Sequence, residues 1–302
     1  MSSQEQPSKR TRPPPPPLPE LRSFDVEGKC VIKYFDLQPA AHSSSTSPTI
    51  VLVHGAPGTY KDFRYLSPLL LEKNARVIGI NLPGFGGSEV LDTANYYEHI
   101  SAMGAAKIVY KVLAQLCKDE QNVFIVGHSF GGHTTINLAA LNLEEAKVNL
   151  RGIALLASAG HRPHRTLWPA TSAVLTKVVS SEIPIVSSAA QSLVHFVYTK
   201  VVGFPNNEPT SHYVSSLVRS SSTDYELFDE HVKKVAHIPA FVAWAKDDVH
   251  IEEEISQKVS DALHPGPRFA FDKGGHNVQK TQAELLAEEL PKWTAEVIAS
   301  AN

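Results

Sequence analysis

The stretch Asn122-Val-Phe-Ile-Val-Gly-His-Ser-Phe-Gly-Gly-His133 decides the reading of this chain. Its apolar run, Val123 to Val126, enters a Gly-x-Ser-x-Gly turn, and a small-residue helix pattern leaves it. Strand, sharp turn, helix is the setting in which a serine becomes a nucleophile. The turn forces Ser129 into a strained backbone conformation, about 1–3 kcal/mol uphill. Gly127 and Gly131 carry no Cβ, so strand and helix can pass close to each other. The hydroxyl is thereby held out at the strand end. The helix N-terminus behind it favours developing negative charge.

On both sides of this turn the chain alternates strand and helix. Phe24 to Phe35 reads as a hairpin turning at Glu27-Gly28-Lys29. Strands are expected at Thr49 to Val53, Arg76 to Ile80 and Gly152 to Leu156, with helices over Asp62 to Glu72 and Asn95 to Cys117. In the long helix Asn95 and Glu98 stand at capping-box spacing, and Met103, Ala106, Val109, Leu113 and Leu116 form its apolar face. A helix to about Leu143 follows the serine. The alternation stops near Gly160 and resumes at Pro239. There follow a strand at Phe241 to Ala245, a helix at Ile251 to Leu263, a strand at Arg268 to Phe271 and a last helix from about Thr281. Pro291 should bend or interrupt that helix. Strands apolar throughout and alternating with helices mean an α/β class with a mostly parallel, doubly wound sheet. The organisation expected is a proline-rich tail at 1–20, a first core part at 21–159, a helical insertion at 160–236 and a second core part at 237–302. The insertion should sit over the strand ends, where such sheets bind ligands.

Composition narrows the function classes. The 302 residues carry a net charge of −3 with acids and bases scattered, which does not suggest a nucleic-acid surface. No run of 18 apolar residues exists, so no membrane span is expected. The N-terminus is polar and shows no secretory signal. Two cysteines, Cys30 and Cys117, lie far apart and form neither a disulfide framework nor a metal motif. A cytoplasmic setting fits. In the tail, Ser8-Lys-Arg-Thr-Arg-Pro-Pro-Pro-Pro-Pro-Leu-Pro19 should be extended polyproline II, solvated and unbound. Arg10 and Arg12 before the prolines also resemble a ligand for SH3-type domains.

A serine nucleophile needs a base, a group that orients the base, and donors for the oxyanion. Phe271-Asp-Lys-Gly-Gly-His276 supplies the base: of 14 histidines, His276 alone follows a late strand and a double glycine. The acid should come from the end of the preceding strand, Phe241-Val-Ala-Trp-Ala-Lys-Asp-Asp248, which offers two neighbours. Asp248 is preferred, with Asp247 as the alternative, because strand alternation points them opposite ways. Ala157-Ser-Ala-Gly160, after an earlier strand, holds no carboxylate. The oxyanion donors should be the amides of Phe130, directly after the serine, and of Ala56 in His54-Gly-Ala-Pro-Gly58, since Pro57 has none. His54 is expected to fix this loop through hydrogen bonds.

The order Ser129, Asp248, His276 resembles that of the α/β-hydrolase fold, with its helical cap insertion. So do His54-Gly-Ala-Pro-Gly58, Asn81-Leu-Pro-Gly-Phe-Gly-Gly-Ser88, Trp244 to Asp248 and Gly274-Gly-His276. The resemblance covers residues 24 to 300. It implies a serine esterase-like hydrolase. In this family epoxide hydrolases and haloalkane dehalogenases place an aspartate where Ser129 stands, and the extra signatures of its proline iminopeptidases and carbon–carbon bond hydrolases are not seen, so the resemblance implies by default ester or thioester hydrolysis through an acyl-serine. A small to medium apolar acyl substrate is expected, with no metal or organic cofactor. In the cap, Leu167, Trp168, Val174, Leu175, Val178, Ile183, Ile185, Val186, Phe196 and Tyr198 should seal it onto the core or line an acyl pocket. The alternative is a non-catalytic protein that uses the same pocket to bind a ligand or partner.

Overall fold

The structure, a computed structural model, describes residues 15–300. Most of the polyproline tail therefore lies outside the described residues. Pro15 to Glu20 run without regular structure, and Arg64 Nη2 donates to the Pro15 carbonyl at 3.4 Å.

Strands β1 (Arg22–Val26) and β2 (Cys30–Leu37) form the expected hairpin, with Glu27 and Gly28 at φ 55° and 67° in its turn. The remaining strands are β3 (Thr49–Val53), β4 (Arg76–Ile80), β5 (Glu89–Val90), β6 (Val123–His128), β7 (Leu150–Leu156), β8 (Ala240–Ala245) and β9 (Arg268–Phe271). They order as β1-β2-β4-β3-β6-β7-β8-β9, with β5 on β2. From β4 to β9 all pairing is parallel, while β1, β2 and β5 pair antiparallel. The expected α/β class and mostly parallel sheet are borne out. The order of winding reverses between β3 and β6, the place where such sheets hold ligands. In register, Val53 faces Gly127, so the loops leaving β3 and β6 emerge side by side.

Eleven α-helices accompany the sheet among the described residues: α1 (Leu66–Glu72), α2 (Tyr96–His99), α3 (Ala102–Leu116), α4 (Phe130–Glu145), α5 (Pro169–Val179), α6 (Pro184–Phe196), α7 (Thr210–Ser221), α8 (Tyr225–Val235), α9 (Glu253–Ala262), α10 (Val278–Thr281) and α11 (Ala283–Ser300). Alternate strand residues go to opposite layers. Ile50 and Leu52 pack with Leu66 and Leu70 of α1 and with Leu286, Leu290 and Trp293 of α11. Val51 and Val53 pack with Val109, Val112 and Leu113 of α3. Burial on both faces is what the unbroken apolar runs required.

Three expectations need correction. The helix foreseen from Asp62 begins instead as a 3-10 turn, Tyr60–Phe63, capped by Thr59. The long helix from Asn95 is two helices. Asn95 caps nothing, because its Nδ2 donates to Asp92 Oδ2 at 2.9 Å, and the working cap is Ser101, whose Oγ accepts from the Gly104 amide at 3.1 Å. Pro291 lies inside α11 without interrupting it, so of the expected bend or interruption the interruption does not occur, and Leu290 and Trp293 around it are buried in the core.

Residues 160–236 do not pack as one unit. Helices α5 to α7 share a cluster with Val179, Ala190, Val194, Tyr213, Val214 and Leu217. Helix α8 lies under the sheet, its Phe228 and Val232 against Ile136 and Ala139 of α4. The apolar groups foreseen as a seal or a pocket divide as well. Leu175 and Tyr198 turn inward, but Trp168, Val174, Ile183, Ile185 and Phe196 are exposed. Ala190 and Val194 form the inward stripe of α6, which leaves Ile185 outside.

Candidate active site

Ser129 stands between β6 and α4 with φ 56° and ψ −125°, a conformation rare outside glycine. Its backbone is tied down: the amide donates to the Leu156 carbonyl at 3.0 Å, and the carbonyl accepts from Gly132 and Ala159. Behind it the first turn of α4 crosses β3 so closely that a Cβ on Gly131 would sit 2.2 Å from the Val53 carbonyl oxygen.

The three side chains expected to meet are brought together. His276 Nε2 lies 2.9 Å from Ser129 Oγ, and its Nδ1 lies 2.8 Å from Asp248 Oδ2. A carboxylate only accepts, so Nδ1–H donates to Asp248 and Nε2 is left to accept the serine O–H. Asp248 is buried, and its Oδ1 accepts from the amides of His250 and Ile251 at 2.8 and 3.0 Å. Burial alone would raise its carboxyl. The hydrogen bond and charge of His276, with the two amides, outweigh burial and hold the group below the usual carboxylate value.

Asp247 does not touch the imidazole. Its Oδ1 accepts from the amides of Gly274 and Gly275 at 2.9 and 2.7 Å, so it pins the loop that carries His276. His128, which sequence reasoning passed over, holds the same loop from the other side: its Nε2 donates to the His276 carbonyl at 2.9 Å. The signal was a polar side chain closing a buried apolar strand. His250 stands with its ring 5.1 Å from that of His276.

Ala56, in the loop after β3, packs against the apolar cluster of Phe130, Ala159 and Ile251. Neither expected oxyanion donor, the amide of Ala56 or that of Phe130, makes a hydrogen bond among the described residues. His54 acts as expected of it: Nδ1–H donates to the Gly55 carbonyl at 2.6 Å and Nε2 accepts from the Leu82 amide at 3.0 Å, joining this loop to the one after β4. Gly55 touches the serine most closely, since a Cβ there would lie 2.8 Å from Ser129 Cβ and 3.3 Å from its Oγ. Gly55→Ala should therefore push the hydroxyl out of line and lower ester turnover by about 100-fold. Steady-state rates on an aryl ester check this, and an unchanged rate would mean that the loop yields freely.

Burial keeps several imidazoles around the elbow neutral. It pushes His54 down to about 4, and His128 and His133 to about 3. An unfolded imidazole titrates near 6.5, so below that pH the unfolded chain binds protons that the folded one refuses. Stability contributed by the neutral form is thus full above about 6.5 and declines as pH falls towards the folded values. At pH 5 each of the three costs about 2 kcal/mol, against a typical total of about 5–15 kcal/mol. Urea unfolding between pH 7 and pH 5 should show the midpoint fall steeply, with protons taken up on unfolding. A flat profile would mean these rings are open to water.

Among the described residues no group of three or more His, Cys, Asp or Glu side chains is arranged to hold a metal, and no helix is long and apolar enough to cross a membrane.

The sheet order, the elbow and the site loops agree with one family. A family model described as "Alpha/beta hydrolase of unknown function (DUF1057)" matches residues 28–284. The chain belongs to the α/β hydrolases. Among relatives of this α/β hydrolase is the uncharacterized hydrolase YugF of Bacillus subtilis (strain 168), 26% identical over 283 residues that cover 89% of this chain and 96% of that protein. Among solved structures, an esterase from Exiguobacterium antarcticum superposes with a TM-score of 0.66 at 17% identity, covering 92% of this chain and 99% of the esterase. A putative lipase from Acinetobacter baumannii AYE gives 0.65 at 18% identity, over 93% and 92% of the two chains. These likenesses establish the fold.

Proposed function

We propose that this α/β hydrolase is a serine hydrolase that cleaves carboxylic esters, or thioesters, through an acyl-serine intermediate. One observation carries the reading: a single imidazole, His276, spans Ser129 Oγ at 2.9 Å and Asp248 Oδ2 at 2.8 Å. Ser129 Oγ bonds to the acyl carbon while its proton passes to His276 Nε2. The carbonyl oxygen, now negative, is received by the amides of Ala56 and Phe130, a pair in which each donor is worth about 2.7–4 kcal/mol. On collapse the C–O bond to the leaving alcohol breaks, and Nε2 returns the proton to that alcohol. Water then attacks the acyl-serine, giving its proton to Nε2, and the serine leaves with that proton. Asp248 holds the ring tautomer and faces the imidazolium charge. Phe130 follows the serine and the Ala159 amide bonds to its carbonyl, so both bring an apolar cluster with Ile251 and Leu167 close to the reacting hydroxyl.

The names of the Exiguobacterium esterase, the Acinetobacter lipase and the Bacillus hydrolase support the reaction class. The free, buried Cys30 and Cys117 suit work in the cytoplasm. The test is a fluorophosphonate probe together with p-nitrophenyl esters from acetate to palmitate. Labelling at Ser129 and hydrolysis of the shorter esters are expected. Folded protein that does neither would leave a ligand-binding pocket in place of an enzyme.

A further inference from the structure

Arg219 sits on the inner face of α7 with 1% exposure. Its Nη2 donates to the Phe130 carbonyl at 2.8 Å and to Thr134 Oγ1. Its Nε and Nη1 are buried and have no acceptor. A guanidinium has five N–H donors, so three are left over. No carboxylate pairs with it among the described residues, whereas the half-buried Arg76 pairs with Asp36 and Glu120, and Arg268 is bonded out to the carbonyls of Ala240 and His264. Burial lowers the group only to about 10, so it remains a cation at neutral pH.

An unpaired charge in the interior costs several kcal/mol. A tether between α7 and α4 does not call for charge. The location adds to the cost, because the guanidinium lies against the first turn of α4, where the helix dipole is already positive. That turn begins with Phe130, whose amide stands beside Ser129. The same face of α7 closes over the neighbouring loops. His212, two turns earlier on the helix, meets the Phe85 ring at 5.0 Å, and Phe85 meets His54 at 5.2 Å. His212 Nδ1 is likewise buried without a partner. A buried cation with three unmet donors, bonded to the residue that follows the nucleophile, is completed by an anion.

We propose that Arg219 receives a carboxylate carried by the substrate, so that the preferred esters are those with a free acid group, such as monoesters of short dicarboxylic acids. This rests on the serine hydrolase reading and narrows its substrate. The amides of Ala56 and Phe130 take the ester carbonyl, and the unmet donors of Arg219 take the distal charge.

The experiment compares mono(4-nitrophenyl) glutarate with 4-nitrophenyl butyrate, of similar length, on the full chain. The wild type should favour the glutarate ester in kcat/KM. Arg219→Met should reduce that charged-to-neutral ratio by about 10- to 100-fold, the loss expected for a charge-assisted hydrogen bond, with Arg219→Lys intermediate. A second measurement avoids turnover: glutarate should raise the melting temperature of Ser129→Ala and fail to raise that of the Ser129→Ala/Arg219→Met double variant. An unchanged ratio in Arg219→Met, or a wild type that prefers the neutral ester, would overturn the proposal. If no ester is hydrolysed but glutarate still stabilises the protein through Arg219, the anion site stands and the hydrolase reading fails. Should Arg219→Met not fold, the wild-type preference and the glutarate shift decide alone.

Discussion

Replacing Ser129 with alanine should lower aryl-ester turnover by about 10⁴- to 10⁶-fold and abolish fluorophosphonate labelling, while leaving the fold intact. The size follows from what the hydroxyl does. Among the described residues it is the one hydroxyl in hydrogen-bond reach of His276 Nε2, at 2.9 Å. The background rate that remains comes from the amides of Ala56 and Phe130 and from binding. Stability should hardly change, because alanine inherits the same φ of 56° and the same backbone bonds to Leu156, Gly132 and Ala159. His276→Ala should give a similar loss of turnover with weaker but detectable labelling. A Ser129→Ala protein that still reacts with the probe would end the serine mechanism.

The second large effect separates two adjacent carboxylates. Asp248→Asn should cost about 10⁴-fold in turnover, because an amide nitrogen facing Nδ1 favours the tautomer that cannot take the serine proton. The effect of Asp247 is indirect. Asparagine there can keep its carbonyl towards the amides of Gly274 and Gly275, so Asp247→Asn should be mild. Asp247→Ala removes the acceptor and lets the loop drift, which at about 1 Å of misplacement costs about 100-fold. Rates and melting temperatures of the three variants check the ranking. If Asp247→Asn proves as damaging as Asp248→Asn, the geometry around His276 has been misjudged.

Much of the frame was legible because it is local. Thr49–Val53, Arg76–Ile80 and Arg268–Phe271 match the expected strands, being apolar runs cut off sharply by polar residues or proline. The elbow was legible because glycines on both sides of Ser129 announce a turn that few sequences tolerate. What escaped depends on partners remote along the chain. His128 meets His276 across 148 positions, and Arg219 meets Phe130 across 89. No spacing rule connects such pairs. The break before α3 was missed for a different reason: Asn95 has the right chemistry for a cap, but Asp92 takes its side chain first. The outward turn of Ile185 and Phe196 was equally hidden, since hydrophobicity states a preference for burial and not which neighbour is there to provide it.

The loop bearing His276 is gripped at its ring by Asp248, at its carbonyl by His128 and at its glycine amides by Asp247. Those hands reach in from the ends of two different strands, so loosening one leaves the others holding. Under the proposed serine mechanism the proton relay would therefore stand ready before any visitor arrives, and docking would have no need to build it. Selectivity would then be exercised by side chains that take no part in that relay. Exchanging those side chains should retune which molecules are accepted while the chemistry proceeds at its own unaltered pace.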